Sequence, residues 1–80
     1  MTRVRAVVHG HVQGVGFRAA TRSRLAELGL DGAATNLPDG TVEVVASGSD
    51  DAVDDLVAWL REGRTPGRVS GVDLERADGT

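Results

Sequence analysis

Between Gly10 and Arg18 the chain reads Gly-His-Val-Gln-Gly-Val-Gly-Phe-Arg, with glycines at 10, 14 and 16 and an arginine close behind them. Glycines at such spacing let a loop turn several backbone N–H groups toward one point. A helix opening just behind the loop adds its own unpaired N–H donors and its positive dipole end. The chemistry offered at that point is capture of an anion, a phosphate above all. Arg18, in the first turn of that helix, supplies a planar fork that meets two phosphate oxygens at once, where a lysine would act only as a point charge. The candidate phosphate-binding residues are thus Gln13, Gly14, Val15, Gly16, Phe17 and Arg18. Within this set Gln13 either shapes the loop or touches the anion, its backbone N–H being the stronger candidate donor. Arg18 taken as an ordinary solvated helix arginine would leave the glycines in front of it unexplained.

A second residue with chemistry to offer is Asn36, whose side-chain amide both donates and accepts hydrogen bonds. Alone, ahead of Leu37-Pro38-Asp39-Gly40, it reads as a turn asparagine. Whether it does more depends on what the fold brings beside it.

The positioning elements follow from periodicity. Arg3 to His9 alternates, with Val4, Ala6 and Val8 on one face, as a half-buried strand does. Phe17 to Leu28 fits a helix with Phe17, Leu25 and Leu28, and Ala20 and Thr21 between them, on one side, closed by Gly29. Leu30 to Asn36 and Thr41 to Ser47 read as two strands of a hairpin whose turn contains Pro38, Asp39 and Gly40. Ser49 or Asp50 caps a second helix with Val53, Leu56, Val57 and Leu60 on its apolar stripe, ended by Gly63. Val69 to Arg76 is a last strand, with Val72 and Leu74 facing one way and Asp73 and Glu75 the other.

The order βαββαβ predicts an α+β, ferredoxin-like sandwich: one antiparallel four-stranded sheet of order 4-1-3-2 with both helices on one face. The first two strands then run in the same direction, so their C-terminal ends share an edge of the sheet. The glycine loop, Arg18 and Asn36 converge there. The fourth strand begins at the same edge, which brings Arg64 and Arg68 to the rim.

Taken with Gly32-Ala33-Ala34-Thr35-Asn36-Leu37-Pro38-Asp39-Gly40-Thr41-Val42 and with Arg64-Thr65-Pro66-Gly67-Arg68-Val69, the glycine loop resembles the acylphosphatase family. That family's signatures read GxVQGVxFR and, after a helix, GxVxNxxDGxV. The first matches at every defined position. The second departs at Ala34, where valine is usual, and Ala33 stands where the family commonly has an aromatic; both departures concern packing. The resemblance spans about Arg3 to Glu75 and implies a hydrolase that cleaves the carboxyl–phosphate bond of acyl phosphates to a carboxylate and inorganic phosphate. It further implies that Arg18 and the loop hold the phosphate, that Asn36 orients the attacking water, that no metal or organic cofactor takes part, and that inorganic phosphate inhibits. Proteins that carry such a domain within a longer chain usually continue from the arginine with Pro-Phe, whereas Ala19-Ala20 follow here, which favours a free-standing enzyme. A ferredoxin-like module that binds an anion without turning it over is the alternative.

Composition narrows the remaining classes. Residues 1–80 suffice for one small domain, with a thin stability margin. There is no cysteine, hence neither a disulfide framework nor a thiolate metal site, and all 9 cations are arginine, which excludes Schiff-base chemistry and a Walker-type loop. A net charge of -3 and a single Phe and a single Trp argue against a nucleic-acid partner. No apolar run reaches membrane-spanning length and no signal-like segment opens the chain, so a cytoplasmic location is expected. His9 and His11 lack a third ligand, and Asp50, Asp51, Asp54 and Asp55 read as a solvated helix face rather than a calcium cluster. Phe17 and Trp59 read as core or core edge, Asp39 and Gly40 as turn residues. Family members usually carry a fifth strand beside strand 2. Without one, Ala77 to Thr80 are expected to be disordered or merely frayed, and the monomer is expected to self-associate through strand 2 at high concentration.

Overall fold

The computed structural model describes residues 1–78. Its elements run β1 (Thr2–His11), α1 (Phe17–Glu27), β2 (Asp31–Asn36), β3 (Val42–Gly48), α2 (Asp50–Glu62) and β4 (Arg68–Asp78). The strands form one sheet of order β2-β3-β1-β4, every adjacent pair antiparallel, which is the predicted ferredoxin-like order read from the other side.

Alternation decides which face of the sheet is covered. Thr2, Val4, Ala6 and Val8 of β1, Val42, Val44 and Ala46 of β3 and Ala34 of β2 are buried, and they share one core with Phe17 and Leu25 of α1 and Val53, Leu56 and Leu60 of α2. Both helices therefore lie on one face. The other face carries Arg3, Arg5, Glu43 and Val45, with Arg5 Nε 2.7 Å from Glu43 Oε2.

The stripe of α1 follows the expected side, Thr21 included, and thins at Ala20 and Leu28. Phe17, Thr21 and Leu25 are buried, at i, i+4 and i+8, while Leu28 is the C-cap and only half buried. A threonine fits there because its hydroxyl donates to Phe17 O at 2.8 Å, so no polar atom is orphaned. The second helix is as expected: Ser49 Oγ accepts from the Ala52 N–H, and Asp50 and Asp51 occupy the first turn.

Two boundaries move. β1 continues through Gly10 to His11 beside Arg68, with a register shift after His9, so Gly10 belongs to an irregular strand end rather than to the loop. At its other end β4 pairs Ala77 with Arg3 and Asp78 with Thr2. The expected fraying of Ala77 and Asp78 is thus corrected: β1 starts at Thr2 and the antiparallel register carries pairing that far, with Asp78 Oδ1 3.2 Å from Thr2 Oγ1. Gly79 and Thr80 lie outside the described residues.

Candidate active site

Strand direction brings the loop and Asn36 together. β1 and β2 both run antiparallel to β3 and so end at the same edge, where residues 12–16 lead into α1. Asn36 closes β2 opposite Val42, two residues beyond the buried Ala34, and therefore sits on the helix-covered side. A pocket of about 170 Å³ opens there, lined by Val12, Gly14, Gly16, Phe17, Arg18, Ala19, Arg22 and Asn36.

The sequence folds this way for local reasons. Gly16 is the N-cap of α1 with φ 85° and no side-chain cap, and Gly14 has φ 74°, a left-handed conformation that costs a glycine nothing. The first-turn N–H groups of the helix are thus left without a side-chain acceptor at the pocket wall. On either side of these glycines the loop is anchored by Val12 and Phe17, both 1% exposed. The Phe17 ring stacks on Trp59 with centroids 6.3 Å apart, Phe17 in the core and Trp59 at its edge, as expected of one or the other. From below, the turn before β4 presses on the loop: at Gly67, φ 78°, a Cβ would collide with His11 O and with Val15.

Of the residues singled out from sequence, Gly14, Gly16, Phe17, Arg18 and Asn36 line the pocket, whereas Gln13 and Val15 do not. Val15 packs against the core. The Gln13 side chain is committed elsewhere, its Nε2 donating to Leu37 O at 2.8 Å and to Thr41 O at 2.9 Å. Both amide hydrogens are used, so the side chain joins the loop to the β2–β3 turn that carries Asn36. That turn is itself tied: the Leu37 N–H donates to Thr41 O and the Gly40 N–H to Leu37 O, at 2.9 and 3.2 Å. Asp39 accepts from the Thr41 hydroxyl at 2.6 Å and from the Thr41 N–H at 3.1 Å, and these bonds, the hydroxyl's first, hold its carboxyl below the usual aspartate range.

Arg68 reaches this edge opposite His11, but neither it nor Arg64 lines the pocket. The second cation that does is Arg22, which the sequence reading missed although its i, i+4 spacing from Arg18 marks it. His9 is engaged with Asp73 at 2.8 Å on the open face, and Asp50 accepts from Thr2 Oγ1. Among the described residues no three His, Asp or Glu side chains converge as metal ligands would. A larger hollow, about 620 Å³, lies between Arg5, Val45, Glu75 and Ala77 on the uncovered face of the sheet. It shares no residue with the glycine loop, and it is the concavity that a twisted sheet leaves when helices cover one side only.

A match to the profile of one protein family, acylphosphatase, covers residues 4–80. The chain belongs to the acylphosphatase family. Relatives and solved structures agree with that placement. An acylphosphatase of Thermobifida fusca is 63% identical over 70 residues, which is 88% of this chain and 77% of the relative. The crystal structure of acylphosphatase from Bacillus subtilis superposes with a TM-score of 0.91 at 31% identity, over 100% of this chain and 89% of that one. An acylphosphatase from Coxiella burnetii superposes at 0.86 with 40% identity, over 96% and 81%. The acylphosphatase signatures thus sit on the pocket: GxVQGVxFR supplies its loop and Arg18, and Asn36 enters from the second signature. Of the two departures, Ala34 is in the core at 4% exposure and Ala33 is exposed on the far side of β2.

Proposed function

We propose that this member of the acylphosphatase family hydrolyses acyl phosphates by holding the phosphoryl group between the N–H groups at the start of α1 and the Arg18 guanidinium, with the Asn36 amide orienting the attacking water. The observation that carries the reading is the meeting of Arg18 and Asn36, eighteen positions apart in sequence, at one pocket with glycines 14 and 16. An acyl phosphate is a mixed anhydride with a good leaving group. Its cleavage therefore asks for positioning and charge neutralisation more than for acid catalysis. Water oxygen bonds to phosphorus, the bond from phosphorus to the acyl oxygen breaks, and the carboxylate leaves with that electron pair. The water proton passes to a phosphate oxygen, which makes a protein base unnecessary and suits an asparagine. Among the described residues no carboxylate lines the pocket to repel the incoming dianion.

The test is phosphate release from benzoyl phosphate with a chelator present, under competition by inorganic phosphate. Arg18→Ala removes a charge-assisted contact worth about 2–3 kcal/mol, so activity and phosphate inhibition should fall together by roughly two orders of magnitude. Asn36→Ala should lower kcat strongly and leave the inhibition constant nearly unchanged. Phosphate binding without turnover would favour the non-catalytic module. Loss of turnover with the chelator would refute the metal-free route, and equal losses of kcat and phosphate affinity in Asn36→Ala would refute its water-orienting role.

A further inference from the structure

The proposed reaction uses only one of the two arginines in the pocket. Arg22 stands one helical turn beyond Arg18 on the same side of α1, about 6 Å along the axis, with Ala19 between them on the pocket wall. Among the described residues Arg22 makes no ion pair and no side-chain hydrogen bond, whereas its neighbour Arg24 is paired with Glu27. Among the described residues the pocket therefore presents two guanidinium groups and no carboxylate, in a chain whose net charge is -3. Such a pair repels itself when empty, and an anion on each relieves the repulsion.

Position separates their roles. Arg18 belongs to the first turn, beside the loop glycines and the uncapped N–H groups. Arg22 lies a turn away from those donors, on the same pocket wall. The wall between the two is the methyl of Ala19, which suits a short aliphatic chain and offers no polar partner of its own.

We propose that Arg22 is a specificity residue that binds a carboxylate at the far end of the acyl group, so that the preferred substrates are acyl phosphates of short dicarboxylic acids. The inference rests on the phosphate-site reading above. The guanidinium fork meets a carboxylate in two parallel hydrogen bonds, and the neutral end of a simple acyl chain would leave that fork unused.

Two stable phosphonates test it in the intact chain. Phosphonopentanoate carries its phosphonate and carboxylate at opposite ends of four methylenes, the spacing of a four-carbon dicarboxylic acyl phosphate, and pentylphosphonate lacks the carboxylate. Calorimetry and competition against benzoyl phosphate hydrolysis should both give wild-type protein a Kd about tenfold lower for phosphonopentanoate, the worth of one partly exposed charge-assisted contact. Arg22→Gln should abolish that difference while leaving pentylphosphonate and inorganic phosphate bound within about twofold of wild type, and Arg22→Lys should restore part of it. Equal wild-type affinity for the two phosphonates overturns the role of Arg22 and leaves the phosphate-site reading intact. Equal weakening of both phosphonates and of phosphate in Arg22→Gln also overturns it, by making Arg22 a second phosphate ligand. Failure of wild-type protein to bind inorganic phosphate at all refutes the site reading, and this inference with it.

Discussion

Replacing Gln13 separates the positioning of Asn36 from the binding of phosphate. The side chain makes two part-buried hydrogen bonds, to Leu37 O and Thr41 O, each worth about 0.5–1.5 kcal/mol net. Neither carbonyl is orphaned by their loss, since Leu37 O keeps the Gly40 N–H and Thr41 O keeps the Leu37 N–H. Gln13→Ala should therefore cost about 1–2 kcal/mol, near the lower half of the range, which in a domain of this size lowers Tm by roughly 5–15 °C. The loop itself stays anchored through Val12 and Phe17 in the core, so the freed part is the turn, and with it Asn36 directly before Leu37. A displacement of about 1 Å at a group that orients a reactant costs up to roughly a hundredfold in rate.

The expected signature in Gln13→Ala is a kcat lowered tenfold or more, in these order-of-magnitude terms, with an inhibition constant for phosphate within about threefold of wild type. Both are measured on benzoyl phosphate at a temperature where the melting curve shows the variant folded. Gln13→Glu sharpens the test. It keeps the shape, but an ionised carboxylate cannot donate and faces two carbonyl oxygens, so it should be worse than alanine at neutral pH and recover partly near pH 4, where the protonated acid donates one bond. Wild-type kcat in Gln13→Glu at neutral pH would refute the reasoning. So would a fall in phosphate affinity as large as the fall in kcat, which would make Gln13 part of the anion cradle instead.

Three further outcomes are expected. Because hydrogen bonds from Thr41 depress the folded-state pKa of Asp39, its stabilisation is complete above the unfolded value and disappears as pH falls through the folded one. Chemical denaturation should then find Asp39→Asn less stable than wild type at neutral pH, with the gap closing in strong acid; a gap independent of pH would contradict this. Arg68 pairs with His11 at the pocket's edge of the sheet and Arg64 lies in the segment leading to it, neither lining the pocket, so Arg64→Gln with Arg68→Gln should lower kcat/KM only a few fold at low salt, and the difference should shrink as the Debye length falls below roughly 8–10 Å. A loss independent of salt would point to direct contact. β2 is an edge strand with an uncharged Gly-Ala-Ala-Thr run from Gly32 to Thr35, so its amides should exchange faster than those of β1 and β3 in dilute protein, and self-association at high concentration should slow them; equal protection in the dilute monomer would show the edge to be covered.

What the sequence made legible and what it hid follow one physical division. Alternation in β1 and β3, the stripe of α2 and the crossover rule are local or topological signals, and together they placed Arg18 and Asn36 at one edge before any coordinates. Gln13 belongs to the other kind. Its partners lie 24 and 28 positions away and are backbone carbonyls, which carry no side-chain identity for a pattern to register. Thr21 was placed on the inward side of α1 by its spacing, but the bond that lets a polar side chain stay there, its hydroxyl closing on Phe17 O, was not legible. The end of β4 depended on where β1 starts, so no property of Ala77 or Asp78 themselves announced their pairing. Arg22 differs from all of these, because its spacing from Arg18 was open to view and only the pocket gave that spacing a meaning. A side chain's role in a site of this kind is thus set in two steps. Periodicity says which way it faces, and the meeting of distant strands says what it faces. The second step is where an unremarkable helix arginine becomes a candidate for choosing the substrate.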